Sequence, residues 1–283
     1  MNKFLTILFF CFFQYFDSFS QKSSFKIYDN NGTQVSFKKL VKKSLDSDII
    51  LFGEFHNNPI IHWLQLELLI NIHNKNKKMT IGAEMFETDD QITIDEYLFG
   101  YFDERKLKDE IKTWPNFETD YLPLLKFARD NKLDFIATNI PRRYANIVFR
   151  LGIDTLNYLS DNAKNFFVNL PLEVDTSMKS YSDMKSDFFH KNDNLIFAQA
   201  IKDATMAHFI IKNKKENFIF FHINGSYHSK DYEGIYYYLK KNNTKLKILS
   251  IGCEEQKDIK KLKPDHNLAD FIIVTPNNMI KTY

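Results

Sequence analysis

The chain of 283 residues is long enough to bury a sizeable core in one large or two small domains. Its 38 Lys and Arg side chains nearly balance its 36 Asp and Glu side chains. The lysines occur in small clusters rather than in a basic stripe, so the composition predicts no nucleic-acid partner.

Residues 1–20 have the pattern of a secretory signal peptide. Lys3 supplies a positive charge, Phe4–Phe13 is a short apolar run, and Ser18-Phe19-Ser20 offers small residues before a cleavage point. The apolar run is too short to cross a membrane. Cys11 lies inside it, after a bulky phenylalanine, so we expect no lipid anchor. The sequence therefore predicts a soluble protein exported to the bacterial periplasm or cell envelope.

The first predicted core strand ends in a turn that carries polar side chains. Ile49–Phe52 is a short apolar run, Gly53 breaks it, and Glu54 and His56 follow. Pro59 suits the first turn of a helix, where its missing N–H has no cost. This succession is typical of functional groups at the carboxyl edge of an α/β sheet.

Two more predicted strands end in titratable groups. Met79–Met85 carries Glu84, and Phe218–Asn224 is followed by His228 in a second Gly-x-x-His turn. Parallel strands would bring these groups to the same edge as His56, where two imidazoles and a carboxylate suit a divalent metal or the activation of water. The plain alternative is that Gly-x-x-His recurs by chance.

The segment after the third strand predicts a helix and then a fourth strand. Thr88 and Gln91 have the spacing of a capping box, and residues 133–139 form the next apolar strand. Arg142 and Arg143 follow that strand. They could hold an anionic carboxylate, or they could be exposed side chains of a first helical turn.

The rest of the chain continues the alternation of helices and strands. Residues 155–195 predict a helical insertion over the carboxyl edge, and Leu195–Ile211 predicts a helix with Gln199 and Asp203 on one face. Apolar strands follow at residues 246–251 and 270–274. We therefore predict one α/β domain over residues 21–283, with a mostly parallel sheet and helices on both faces.

Several motifs, taken together and in order between about residues 48 and 240, resemble the ChaN family of haem-binding uptake proteins. In chain order they are Gly53-Glu54-Phe55-His56-Asn57-Asn58-Pro59 with His62 and Gln65, Glu84-Met85-Phe86 with Gln91, the Tyr121–Ala128 helix, Asn139-Ile140-Pro141-Arg142, Gln199 and Asp203 with Met206-Ala207, and Gly225-Ser226-Tyr227-His228. ChaN-like proteins belong to a superfamily with the Tiki, TraB and erythromycin esterase proteins.

The resemblance implies an α/β fold, an envelope location and haem held at a homodimer interface by tyrosine and histidine. An outer-membrane uptake receptor is then an expected partner. A porphyrin needs an apolar slot, an axial phenolate or imidazole, and donors for two propionates. The candidates for these roles are His56, His62, Tyr121, Arg142, Tyr227 and His228.

The sequence leaves two of these assignments open. The family's haem tyrosine maps to no single position, so Tyr121, Tyr144 and Tyr227 are all candidates. His62 lies one turn into the helix that starts at Pro59. It could face His56, or it could be a histidine at the edge of the core that is hydrogen-bonded to the backbone.

Haem binding alone does not explain carboxylates beside the histidines, and this favours a second hypothesis. In a metal-dependent hydrolase resembling the esterase and Tiki proteins, His56, Glu84 and His228 would bind a divalent metal or act as a base toward water. Glu54 would orient an imidazole. A third hypothesis is a non-catalytic envelope protein that binds another small ligand.

Overall fold

One mixed sheet organises the computed structural model of the protein, which describes residues 23–186 and 194–283. The predicted signal peptide at residues 1–20 lies outside the described residues, as do residues 187–193 of the predicted insertion. The strands within the described ranges are β1 (Lys26–Asp29), β2 (Gln34–Val35), β3 (Ile49–Glu54), β4 (Met79–Glu87), β5 (Phe135–Asn139), β6 (Ile219–Gly225), β7 (Ile248–Gln256) and β8 (Phe271–Pro276).

Helices connect these strands. They are α1 (Phe37–Ser44), α2 (Pro59–Lys75), α3 (Gln91–Leu98), α4 (Glu104–Glu110), α5 (Leu122–Asp130), α6 (Arg142–Leu151), α7 (Asp161–Lys164), α8 (Lys179–Ser186), α9 (Asn194–Asn213) and α10 (Ile235–Asn242). A π-helical turn at Phe117–Tyr121 precedes α5. In the described part of the chain, no helix combines the length and the apolar character needed to cross a bilayer.

The strand order is β2-β1-β8-β7-β3-β6-β4-β5. All neighbours from β8 to β5 are parallel, whereas β1 pairs antiparallel with β2 and with β8. The predicted α/β class with a mostly parallel sheet is therefore confirmed.

Both faces of the sheet are buried, as the continuous apolar strands predict. Ile50 and Phe52 of β3 pack into the larger core, which includes residues of α1, α2 and α5. Ile49 and Leu51 point to the other face and pack against α9 and α10. This alternation places the ends of β3 and β6 between two helical layers.

Helix α2 begins as predicted. Asn58 caps it by accepting a hydrogen bond of 3.1 Å from the Ile61 N–H, and Pro59 occupies the first turn. This cap fixes the direction in which the chain leaves the β3 turn, and hence the position of His56.

The predicted capping box at Thr88 and Gln91 is wrong. The Thr88 hydroxyl donates to the Phe166 carbonyl at 2.7 Å. The Gln91 side chain bonds to β5, donating to the Phe135 carbonyl at 2.9 Å and accepting from the Ala137 N–H at 2.7 Å. Partners on β5 and in the segment after α7 therefore replace the local cap, and a short 3₁₀ turn at Thr88–Asp90 leads into α3.

The predicted insertion lies between α6 and α9. It contains a 3₁₀ segment at Ile153–Tyr158 followed by α7 and α8. Helix α8 packs on α9 and contributes Asp183 and Met184 to a cavity at the carboxyl edge of the sheet. The insertion thus covers the edge where the polar turns lie.

Candidate functional site

The first Gly-x-x-His turn presents one imidazole held by a buried carboxylate. Glu54 ends β3 with 1 % of its surface exposed, and its Oε1 lies 2.9 Å from Nδ1 of His56. Oε1 also accepts from the Tyr121 hydroxyl at 2.7 Å, and Oε2 accepts from the Gln65 amide at 2.6 Å. Because the carboxylate is fixed from several sides, it fixes the imidazole ring in turn.

The charge environment of His56 favours its protonated form. Burial alone lowers its pKa, but the hydrogen bond to Glu54 and the charges of Glu84 and Glu54 outweigh burial, so the pKa is raised. The His56 side chain remains 31 % exposed, in contrast to its carboxylate partner. It is therefore a titratable group that solvent or a ligand can reach.

His62 and Tyr121 lie behind this imidazole. Nε2 of His62 is 3.0 Å from the His56 carbonyl oxygen and 3.4 Å from Oδ2 of Asp120. Asn116 donates to the same His56 carbonyl at 2.7 Å. His62 is thus a buried histidine that faces His56 and is hydrogen-bonded to its backbone.

The second Gly-x-x-His turn holds a buried ionic triad. His228 follows β6, its Nε2 lies 3.0 Å from Oε1 of Glu84, and its Nδ1 pairs with Oδ1 of Asp203. Tyr181 donates to Oδ2 of Asp203 at 2.7 Å, and the Gly225 N–H donates to Oε2 of Glu84 at 2.6 Å. Both ring nitrogens of His228 therefore face carboxylates.

The triad stabilises the imidazolium form of His228. Burial lowers the pKa of His228, but the charges of Glu84 and Asp203 and the hydrogen bonds to both raise it to about 10. Burial raises the pKa of Glu84, yet the charge of His228 and the hydrogen bond to it bring that pKa well below its usual range. Burial raises the pKa of Asp203, and the neighbouring imidazolium offsets only part of that rise.

The two turns meet because β3 and β6 are neighbours, with Glu54 opposite Gly225. A Cβ at position 225 would lie 2.8 Å from Nε2 of His56, so only glycine allows this approach. Gly53 is confined less tightly, because a Cβ there would lie 3.2 Å from the Ile251 carbonyl oxygen and from Cα of Ser226, and these backbone atoms would have to shift slightly. The glycines of both motifs thus permit the close packing of one turn on the other.

The geometry gives no support to a metal at this edge. Within residues 23–186 and 194–283, no three or more His, Cys, Asp or Glu side chains are arranged to hold a metal ion. Both ring nitrogens of the His228 imidazolium donate their protons to Glu84 and Asp203, so neither offers a lone pair to a metal. The metal role predicted for His56, Glu84 and His228 therefore stays a prediction.

A cavity of about 950 Å³ opens beside both turns. Its size is within the range of small-molecule and cofactor sites. His56, His228 and Tyr227 line it together with residues of α8, α9 and the carboxyl-terminal segment. Tyr227 is 55 % exposed, and the Lys230 ammonium lies 4.0 Å from the centroid of its ring. The cavity is thus lined by a solvent-exposed phenol, a partly exposed imidazole and an apolar wall.

Not all the predicted residues reach this cavity. His62 and Tyr121 are buried behind His56, with 4 % and 0 % of their surfaces exposed. Arg142 begins α6, where its N–H donates to Glu87 and its guanidinium lies 3.9 Å from the same carboxylate. It does not line the cavity, in contrast to the expected contact with a propionate.

Several residues of the site were not predicted from the sequence. Asp120 belongs to the π-helical turn and Asn116 directly precedes it, whereas Lys263, Lys281 and Tyr283 come from the last part of the chain. None belongs to a recognisable motif. Only the i, i+4 spacing of Gln199 and Asp203 signalled a shared face, and both side chains do contact His228.

A comparison with protein families gives a match over residues 40–239 to the family described as haem-binding uptake, Tiki superfamily, ChaN. That range covers well over half of the chain. The chain belongs to the ChaN family.

Solved structures agree with this fold. ChaN of Campylobacter jejuni, described with cofacial haem binding, superposes with a TM-score of 0.66 at 18 % identity, covering 89 % of this chain and 97 % of that one. A protein from Bacillus cereus superposes with a TM-score of 0.51 at 12 % identity, covering 84 % of this chain and 90 % of that one. At these identities the likeness shows the fold alone.

A curated plant protein shares part of the sequence. The chloroplastic protein RETICULATA-RELATED 5 of Arabidopsis thaliana is 28 % identical over 127 residues, which is 42 % of this chain. This ChaN-family chain matches only 17 % of the length of that relative.

Proposed function

We propose that this protein binds haem in the cavity at the carboxyl edge of its sheet and serves haem or iron uptake in the bacterial envelope. The observation that carries the proposal is the half-exposed Tyr227 beside His56 in a cavity of about 950 Å³, in a chain of the ChaN family. Phenolate and imidazole are both ligands of haem iron.

Tyr227 is our first candidate for the axial ligand. Its hydroxyl-bearing ring lines the cavity and is held in place by a cation–π contact with the ammonium of Lys230. His56 is the second candidate, because Glu54 holds its Nδ1 and orients the ring. This resembles the carboxylate partners that orient metal-bound histidines.

The other candidates have supporting roles in this proposal. His228 has carboxylates at both nitrogens, so it holds the turn that carries Tyr227. His62 and Tyr121 position Glu54 and the backbone of His56. When bound, haem would supply the iron to be transported, while the protein would supply the slot and the ligand.

The oligomeric state and the partners extend the proposal. The structure of Campylobacter jejuni ChaN is described as cofacial haem binding. We infer that two copies of the present chain bring their Tyr227 faces together around haem. An outer-membrane receptor and export by residues 1–20 complete this uptake pathway.

The test is a titration of the purified protein with hemin, followed by absorbance and by size-exclusion chromatography. We expect a saturable Soret shift and a change from monomer to dimer. Tyr227→Phe should weaken binding at least tenfold, whereas Tyr158→Phe, a change at an 89 % exposed tyrosine that does not line the cavity, should bind as the wild type does. Unchanged binding by Tyr227→Phe would reject that ligand, and absence of any Soret shift would reject haem binding.

One observation favours hydrolysis as a second candidate. His56 lines the cavity and its Nδ1 is held by Glu54, which is the arrangement of a general base and its orienting carboxylate. In that case, His56→Ala should abolish the turnover of small activated esters, and a chelator should show whether a metal contributes. Equal turnover by the wild type and His56→Ala would exclude this role.

A further inference from the structure

Two lysines from the last part of the chain line the cavity. Lys263 lies between β7 and β8, and Lys281 follows β8. Both lie beyond residue 239, where the match to the ChaN family ends. The carboxyl-terminal part of this chain therefore adds two ammonium groups, each paired with a glutamate, to a cavity whose histidines come from the family-matched part.

Adjacent glutamates at the end of β7 hold these lysines. Nζ of Lys263 lies 2.8 Å from Oε2 of Glu254, and Nζ of Lys281 pairs with Oε1 of Glu255. The lysine side chains are 39 % and 29 % exposed, so solvent still reaches them. Each ammonium is thus placed at the cavity without being sealed off from a ligand.

The glutamates themselves are fixed by other donors. Oε1 of Glu254 accepts from the Asn267 N–H at 3.1 Å. Oε1 of Glu255 accepts from the Asn58 amide at 2.8 Å, and Asn58 also caps α2. Part of the negative charge is therefore compensated by donors other than the lysines. A lysine ammonium carries three N–H groups, so each ammonium still has N–H groups to donate to a ligand.

The backbone of the terminal segment adds a further constraint. The Thr282 N–H donates to the Asn57 carbonyl at 3.1 Å, which ties the segment to the turn that carries His56. Tyr283 lines the cavity next to Lys281. Because the segment is held at Thr282, directly after Lys281, less conformational entropy is lost when that lysine contacts a ligand.

We propose that Lys263 and Lys281 bind the carboxylate groups of the ligand, which are the propionates if the ligand is haem. This inference rests on the proposed function and assigns to these lysines the part that the sequence assigned to Arg142. Ammonium-to-carboxylate hydrogen bonds are charge-assisted, and they would fix the orientation of a porphyrin whose iron faces Tyr227 or His56.

The test compares hemin with hemin dimethyl ester, in which the propionates are methylated and uncharged. Both are titrated into the wild type, Lys263→Gln, Lys281→Gln and the double variant, in one buffer with the same detergent. Lys260→Gln is the matched control, because Lys260 is exposed in the same loop and does not line the cavity.

We expect the wild type and Lys260→Gln to bind hemin roughly tenfold more tightly than its diester. In the double variant this preference should vanish through weaker hemin binding, with the affinity for the diester unchanged. The single variants should lose part of the preference. Thermal melting of every variant checks that the fold is intact.

Two results would overturn the inference while leaving haem binding in place. One is a double variant that keeps the wild-type preference for hemin. The other is an equal loss of affinity for both porphyrins, which would mean that the lysines only support the wall of the cavity. If the wild type binds neither porphyrin, both this inference and the proposed function fail.

Discussion

The two Gly-x-x-His turns have the same spacing and the same position at the ends of neighbouring parallel strands, yet their histidines have different environments. His56 has a carboxylate at one nitrogen and is 31 % exposed. His228 has carboxylates at both nitrogens and is 8 % exposed. The first imidazole is available to a ligand, and the second is part of the supporting structure.

The difference comes from the helical segments that pack against each turn. Helix α2 and the π-helical turn reach Glu54 behind His56 with neutral donors, Gln65 and Tyr121. Helix α9 instead reaches His228 with Asp203, a second carboxylate. One motif therefore gives two outcomes, because the chemistry of a strand-end histidine is set by distant residues.

The largest expected effect is a difference in the stability lost when the histidine of each turn is replaced by alanine. His228→Ala leaves Glu84 and Asp203 buried without their cation, and we expect it to lower the free energy of unfolding by about 3–5 kcal/mol. His56→Ala, at a partly exposed site, should cost about 1 kcal/mol. Urea denaturation of both variants measures this, and equal losses would contradict the contrast between the turns.

The next effect is the pH dependence of stability. The pKa of His228 rises from 6.5 to about 10 on folding. Its contribution is therefore fully present below pH 6.5 and is lost as the pH rises through about 10. We expect the free energy of unfolding to fall between pH 7 and pH 9 by up to about 1.4 kcal/mol per pH unit.

Urea denaturation of the wild type and His228→Gln at several pH values in this window provides the comparison. The variant lacks the titrating imidazole, so its slope should be flatter. A slope that is the same in both proteins would show that other groups govern the alkaline loss of stability.

The smallest effect concerns His56. Glu54→Gln removes the carboxylate that raises the pKa of His56, so that pKa should fall. The imidazole signal in an NMR titration reports the value, with His56→Ala used to assign it. Glu118→Gln, a change at an exposed glutamate that pairs with Lys108, is the control and should leave the titration unchanged.

Much of the fold could be predicted because the apolar strands and glycine turns are local signals. The strand before Gly53, the helix starting at Pro59 and the strand before Gly225 were all predicted close to their observed bounds. The prediction of a capping box at Thr88 was wrong, because the side chains of both residues have distant partners. The partner of Thr88 is 78 residues away and that of Gln91 is 44 residues away.

The site could be predicted only in part. Glu54 and Glu84 lie in strands and His56 and His228 follow strands, so a parallel sheet gathers them at one edge. Whether each of them can bind a ligand or only supports the structure depends on Tyr121, Asp203 and Tyr181. These residues come from helical segments whose positions no short motif specifies. Arg142 also follows a strand, but β5 is at the sheet's edge, away from the cavity beside β3 and β6.

The antiparallel pairing of β1 with β8 has a consequence for how the molecule is made. Ile27 pairs with Ile273, so the first described strand needs the last described strand as its partner. Because a ribosome makes the amino end of a chain first, β1 cannot pair with β8 until synthesis of β8 is complete. Such long-range pairings close slowly, because a large loop must be ordered first. Closure of the sheet, and the seating of the terminal lysines that follow β8, should therefore be the last events of folding.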